Sequence, residues 1–178
     1  MIFIAESITS FYDQEQDRLN LVFNGQGQKQ LIGLVTRQFF KGLLARLPDW
    51  LARQRIDTIP LTTEQQRIIN QFHHQVSQQE VTVTYGKAPP SKQIETFLIN
   101  TINFTKARVI SESEDQKIRL EFLSPDRTAG IMIVLDSARL HKFIGEILKQ
   151  VQTWDLDNPW QDKSGIFASF DNDDQVVH

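Results

Sequence analysis

The chain contains no cysteine. Disulfides, thiolate metal ligands and cysteine nucleophiles are excluded together, and the compartment is left unmarked by redox chemistry. Long apolar runs are missing too. No stretch approaches the roughly 20 apolar residues of a membrane span, and the opening MIFIAES meets Glu6 too early for the apolar run of a secretory signal. The expectation is a cytoplasmic protein without a membrane partner. Strong charge of one sign is also absent. The 178 residues carry 19 Lys and Arg against 22 Asp and Glu, a net charge of -3, which argues against non-specific attraction to nucleic acid.

Catalytic constellations are equally scarce. No G-x-S-x-G elbow occurs. Gly25 and Gly27 sit between two strand-like runs rather than before a helix, so they read as a turn and not as a phosphate cradle. His73 and His74 are adjacent on a predicted helix, where neighbouring side chains diverge by about 100° and cannot easily share a metal. They are expected at the surface or the edge of the core, and His141 in a packed or solvent-facing place beside an apolar stripe. Glu112, Glu114 and Asp115 form a solvating loop run. Without convergent groups the chain is expected to be non-enzymatic, with no cofactor and no metal.

What is present is a rhythm written twice. RLNLVF, NGQGQKQ, LIGLV and an apolar-striped helix follow one another, and KIRLEF, LSPDRTAG, IMIVL and a second helix repeat the order. Leu19, Leu21 and Phe23 alternate as a half-buried strand does, and so do Ile118, Leu120 and Phe122. Asn24-Gly25 predicts a type I′ hairpin turn, and Ser124-Pro125-Asp126 a type I turn. LIGLV (31–35) and IMIVL (131–135) are apolar without alternation and call for cover on both faces. Thr36 and Asp136 stand where N-caps belong. Pro48 predicts a kink or break near Leu47. Candidate first strands, Ile2–Tyr12 and Phe97–Ile110, precede the hairpins, which makes each unit βββα, or ββββα if the long first strand is bent.

The fold class expected is therefore α+β, a tandem duplication of a βββα unit with a helical insert between the copies. The divisions are 1–55, first unit; 56–93, helix-strand insert and linker; 94–154, second unit; and 155–178, an acidic, loose tail. In the insert, Thr62 or Thr63 with Gln65 or Gln66 predicts a capping box, and Ile68, Ile69, Phe72 and Val76 a narrow apolar stripe on a Gln-rich helix. VTVTY (81–85) reads as a strand and GKAPPSK (86–92) as a linker. The core is expected from Leu21, Phe23, Leu34, Phe40, Leu43, Leu44, Leu47, Leu120, Phe122, Ile133, Phe143, Ile144 and Ile147.

Charge is distributed unevenly. Arg37, Lys41, Arg46 and Arg53 make a basic shoulder, while the segment after Trp154 is acidic with Trp160 and Phe167 as apolar anchors. These six residues are the candidates for binding a protein partner or for self-association. The order KIRLEF, IMIVL, Asp136 and LHKFIGEIL, within two strand-rich units each ending in a helix, resembles whirly-type and PUR-repeat proteins at the level of topology over about two-thirds of the chain. Those proteins bind single-stranded nucleic acid. The resemblance implies an alternative function, nucleic-acid binding on an exposed sheet face through Phe104, Lys106 and Arg108. The chain departs from it in being acidic and in lacking a row of aromatics interleaved with Arg or Lys.

Overall fold

The computed structural model describes residues 2–54, 62–79, 81–83, 94–106 and 117–161. Arg55, Arg108, Phe167, the run Glu112–Asp115, the linker 86–92 and the tail beyond Gln161 lie outside the described residues. The elements are β1 (Ile2–Ile4), β2 (Ser7–Asp13), β3 (Arg18–Asn24), β4 (Gln30–Thr36), α1 (Arg37–Leu44), α2 (Leu47–Gln54), α3 (Thr63–Gln79), β5 (Glu95–Leu98), β6 (Thr101–Lys106), β7 (Lys117–Leu123), β8 (Gly130–Asp136) and α4 (Ser137–Gln150). The architecture is α+β with two four-stranded sheets, ordered β1-β8-β7-β6 and β2-β3-β4-β5.

Each sheet borrows a strand from the other half of the chain. β2, β3 and β4 form an antiparallel meander, and β5 joins it parallel to β4. β6, β7 and β8 form the other meander, and β1 joins it parallel to β8. The long first strands expected at 2–12 and 97–110 are thus each divided. One crosses between sheets at Ala5-Glu6, where Ala5 N donates to Met132 O (2.8 Å) and Glu6 N to Asn24 O (2.7 Å). The other crosses at Ile99-Asn100, with Ile99 N donating to Leu34 O (2.9 Å) and Asn100 N to Leu123 O (3.0 Å). Each crossing shifts the alternation by one residue: Phe3 and Ala5 face the core before the first and Ile8 and Tyr12 after it, and Phe97 and Ile99 before the second and Ile102 and Phe104 after it.

The core lies between the sheets and the helices that close them. Leu19, Leu21 and Phe23 of β3 meet Ile118, Leu120 and Phe122 of β7 in one buried cluster, and the rings of Phe23 and Phe122 stand edge to face at 4.9 Å. All the expected core residues are buried except Leu34, Leu43 and Phe143, which are half-buried. β3 is buried on both faces, since Asn20 and Val22 are also covered, where alternation predicted one. β4 and β8 depart in the opposite sense. Their outward residues Ile32, Leu34 and Met132 are only half-buried and Val134 is exposed, so these strands are not covered on both faces as their composition suggested.

Local chemistry places the helices. Thr36 Oγ1 accepts from Phe39 N (3.2 Å) at the start of α1, and Asp136 Oδ1 accepts from Arg139 N (2.7 Å) at the start of α4. Pro48 falls in the first turn of α2, where a missing N–H is tolerated, and the chain breaks at Ala45-Arg46 just before it. Thr62 caps α3 in a reciprocal box: Gln65 N donates to Thr62 Oγ1 (3.2 Å) and Thr62 N to Gln65 Oε1 (2.9 Å).

Two expectations fail locally. Asn24-Gly25 makes no type I′ turn. Gly25 is extended, and the left-handed residue is Gly27 at φ 67° within a 3-10 turn over Gln26–Gln28. Gly25 is required for a different reason: a Cβ there would come within 2.6 Å of the Phe3 ring and 2.9 Å of Ile4 O. Val81–Val83 form no strand, and Thr84 and Tyr85 lie outside the described residues.

Candidate functional site

α3 is the element that breaks the pattern. It lies along α4, and its buried side chains are Gln71 and His74. Gln78 follows on the same face, its Nε2 donating to His74 O at 3.2 Å, and its amide occupies the space that a Cβ on Gly145 of α4 would take. The Nδ1 atoms of His74 and His141 are 2.9 Å apart, so one ring donates to the other. Trp160 closes the cluster, stacked on His74 at 4.2 Å and 13° between planes and edge-on to His141 at 6.2 Å. Burial, with the neighbouring His141 second, pushes His74 down from its ordinary 6.5 to about 3. The His74 ring is thus expected neutral at physiological pH.

This corrects two sequence readings. Trp160 does not offer an exposed anchor to a partner, because its ring is in the core at 4% exposure. His74 is not at the surface or the edge of the core: it is buried against His141, which takes the packed one of its two expected places. Adjacent histidines on a helix gave no signal of this, since the partner of His74 is distant in sequence. The predicted stripe of α3 is only partly used. Ile68 and Ile69 are half-buried, while Phe72 and Val76 are 51% and 37% exposed.

The basic shoulder does not converge. Arg37 is held by Asp17, with Nη2 donating to both carboxylate oxygens at 3.1 and 3.0 Å. Asp17 also accepts from Tyr12 Oη (2.7 Å) and Trp154 Nε1 (2.6 Å), and the Arg37 guanidinium lies 5.9 Å from the centre of the Trp154 ring. The Tyr12 hydroxyl, then the Trp154 indole and Arg37, hold the Asp17 carboxyl below the usual range. This knot ties the β2–β3 turn, itself in the left-handed region at Asp17 (φ 50°), to α1 and the end of α4. Lys41, Arg46 and Arg53 are exposed on α1, the α1–α2 turn and α2.

Of the nucleic-acid candidates, Phe104 faces inward, its ring 5.2 Å from that of Trp50 on α2. It therefore supplies no free stacking platform. Lys106 is exposed at the end of β6, and Arg119 on β7 is paired with Glu121.

The outer faces of the sheets are the remaining surfaces. Register sets Ile4 beside Met132, and Met132 beside Glu121. The outer face of the β1 sheet is therefore apolar on one side, through Ile2, Ile4, Met132 and Val134, and polar on the other. Ile2 and Ile4 are 57% and 64% exposed. On the second sheet Phe11 and Leu98 are 39% and 38% exposed at opposite ends of one row of paired residues. An open groove of about 1490 Å³ runs between β1, β5 and the adjoining turns, with Glu6, Lys29 and Glu95 as its charged groups. Among the described residues no cluster of three or more His, Asp or Glu could hold a metal, and no helix is long and apolar enough to cross a membrane. No protein-family model, curated protein or solved structure matches this chain.

Proposed function

We propose that the chain is a non-enzymatic binding or assembly module that works through protein–protein contacts on surfaces its own fold leaves uncovered. The carrying observation is the row of Ile2, Ile4, Met132 and Val134 on the outer face of the β1 sheet, three of them more than one-third exposed. Large apolar side chains gathered on one face mark contact sites. Among the described residues β1 is also an edge strand, and the backbone row on its open side is suited to the addition of an extended segment.

We infer that the framework arose as a tandem duplication of one βββα unit. The reciprocal loan of β1 and β5, the facing rings of Phe23 and Phe122, and the matched caps Thr36 and Asp136 support that reading.

The test uses the full chain and a double variant, Ile4→Lys with Val134→Lys. Self-association is followed by sedimentation and partner capture by quantitative pull-down, with thermal melting as the folding control. The proposal expects at least a tenfold loss of capture or association with an unchanged melt. Equal capture and equal association by the variant would overturn it.

Single-stranded nucleic-acid binding is the second reading, favoured by Lys106 at the open end of β6 and opposed by the inward Phe104. Titration of a fluorescent oligothymidine at low salt separates the two, since an electrostatic binder gains affinity steeply there. No binding is the expected result.

A further inference from the structure

We infer that α3 pairs with α3 of a second copy of this chain, antiparallel, about a two-fold axis passing by Phe72. The inference goes beyond the sheet-face reading and places self-association on a second surface. An amphipathic helix ordinarily buries its apolar stripe. α3 instead buries Gln71, sets His74 and Gln78 against α4 and leaves Phe72 and Val76 in solvent. At 100° per residue, Gln65, Ile69, Phe72, Val76 and Gln79 fall within an arc of about 80°, with Ile68 at its margin. One narrow strip therefore carries every exposed apolar side chain of the helix.

The strip's chemistry selects the occupant. It carries no charge: the charged side chains of the helix, Glu64 and Arg67, lie about 80° and 140° round from Phe72 and pair with each other at 2.7 Å. A nucleic acid or a charged protein surface would find no counter-charge on it. A membrane surface is excluded because an interfacial helix keeps its polar face in water and lines it with Lys or Arg, whereas the polar face of α3 is held against α4. The strip is instead its own complement. Gln65 and Gln79 stand at equal distances on either side of Phe72, and so do Ile68 and Val76. Antiparallel pairing about Phe72 sets ring against ring, Ile68 against Val76 and Gln65 against Gln79. Each glutamine amide carries both a donor and an acceptor, so the end pairs satisfy each other. The two helix dipoles also oppose, which favours the antiparallel sense. Self-complementarity of this kind is what a closed two-fold contact requires.

The area sets the strength. The 17 residues of α3 span about 26 Å, which at a helix width of about 10 Å gives a footprint far below the roughly 800 Å² per partner of a standard complex. The pairing is therefore weak and concentration-dependent.

The test is sedimentation of the full chain across 5–500 μM. Wild type is expected to shift from monomer to dimer, Phe72→Glu to raise the dissociation constant at least tenfold, and Ile4→Lys to leave it unchanged. Since the chain has no cysteine, single-cysteine variants fix the register independently of any effect of Phe72→Glu on folding. Under mild oxidation Phe72→Cys is expected to form a disulfide-linked dimer. A mixture of Gln65→Cys and Gln79→Cys is expected to cross-link, and Gln65→Cys alone is not. A monomer at 500 μM, a dimer indifferent to Phe72→Glu, or cross-linking of Gln65→Cys with itself would overturn the pairing. If association is broken by Ile4→Lys and not by Phe72→Glu, the pairing of α3 fails while the assembly reading stands. If wild type neither associates nor captures a partner through the sheet face, both fail.

Discussion

α3 and α4 lie side by side and solve the same problem in opposite ways. α4 turns Leu140, Ile144 and Ile147 into the core and keeps Lys149 in solvent, joined at 2.9 Å to the half-buried Glu146. α3 turns an amide and an imidazole inward and leaves a phenylalanine in water. α4 is held by the removal of apolar area from water, worth about 25 cal/mol per Å². α3 is held by directional contacts: a histidine pair, a stacked indole and a glutamine seated over Gly145. The difference teaches that the two-sheet framework is built for stability, and that the insert lies against it through groups whose bonding depends on protonation and pairing.

The framework should break hardest. Phe122→Ala removes half of the facing ring pair between the sheets and should destabilise by about 3–5 kcal/mol, read from the urea midpoint by circular dichroism. Phe23→Ala should do the same. Their double variant should lose less than the sum, because the second truncation no longer breaks the ring contact. Full additivity would mean that the two rings act independently.

The contact of α3 should respond next, and to pH. The folded value for His74, about 3, lies below its ordinary 6.5. The unfolded chain therefore binds the proton first as pH falls. The stability contributed by neutral His74 is complete above about pH 6.5 and is lost on acidification toward pH 3, at up to about 1.4 kcal/mol per pH unit. The difference between wild type and His74→Gln in urea midpoints at pH 7.5, 6.0 and 5.0 isolates this residue. The gap should narrow steadily with acid, and a constant gap would remove His74 from the account.

A smaller effect carries the opposite sign. Gln71 Nε2 is buried with no hydrogen-bond acceptor among the described residues, and an unmade bond of this kind costs about 1–3 kcal/mol. Gln71→Leu should therefore stabilise the chain, by about 1 kcal/mol, in the same melts. Smallest of all, Phe72→Ala in dilute protein should change stability by less than about 0.5 kcal/mol, as at other exposed positions, although it is the larger truncation. A loss of 3 kcal/mol there would place Phe72 inside.

The sequence exposed much of the framework because its signals are local. Alternation in β3 and β7, the caps Thr36, Asp136 and Thr62, and the break at Pro48 are each decided within a few residues. The sheet exchange was written only as a one-residue shift of alternation at Ala5-Glu6 and Ile99-Asn100, which a bulge within a single sheet would also give. The candidate site was less legible. The stripe of α3 was visible, but the side that meets α4 is chosen by His141, Gly145 and Trp160, all far along the chain. Arg37 looked like one charge of a basic surface because its partner Asp17 comes near only when β2 and β3 fold together.

The most direct measurement compares thiol labelling at two positions of α3 in the native, dilute full chain, with no other cysteine to interfere. Val76→Cys should react with a maleimide or disulfide reagent at nearly the rate of a free peptide. Gln71→Cys should react at least about tenfold more slowly, because its place is closed by α4. Faster labelling at position 71 than at 76 would mean that the helix turns its apolar strip inward, and the proposed surface would not exist.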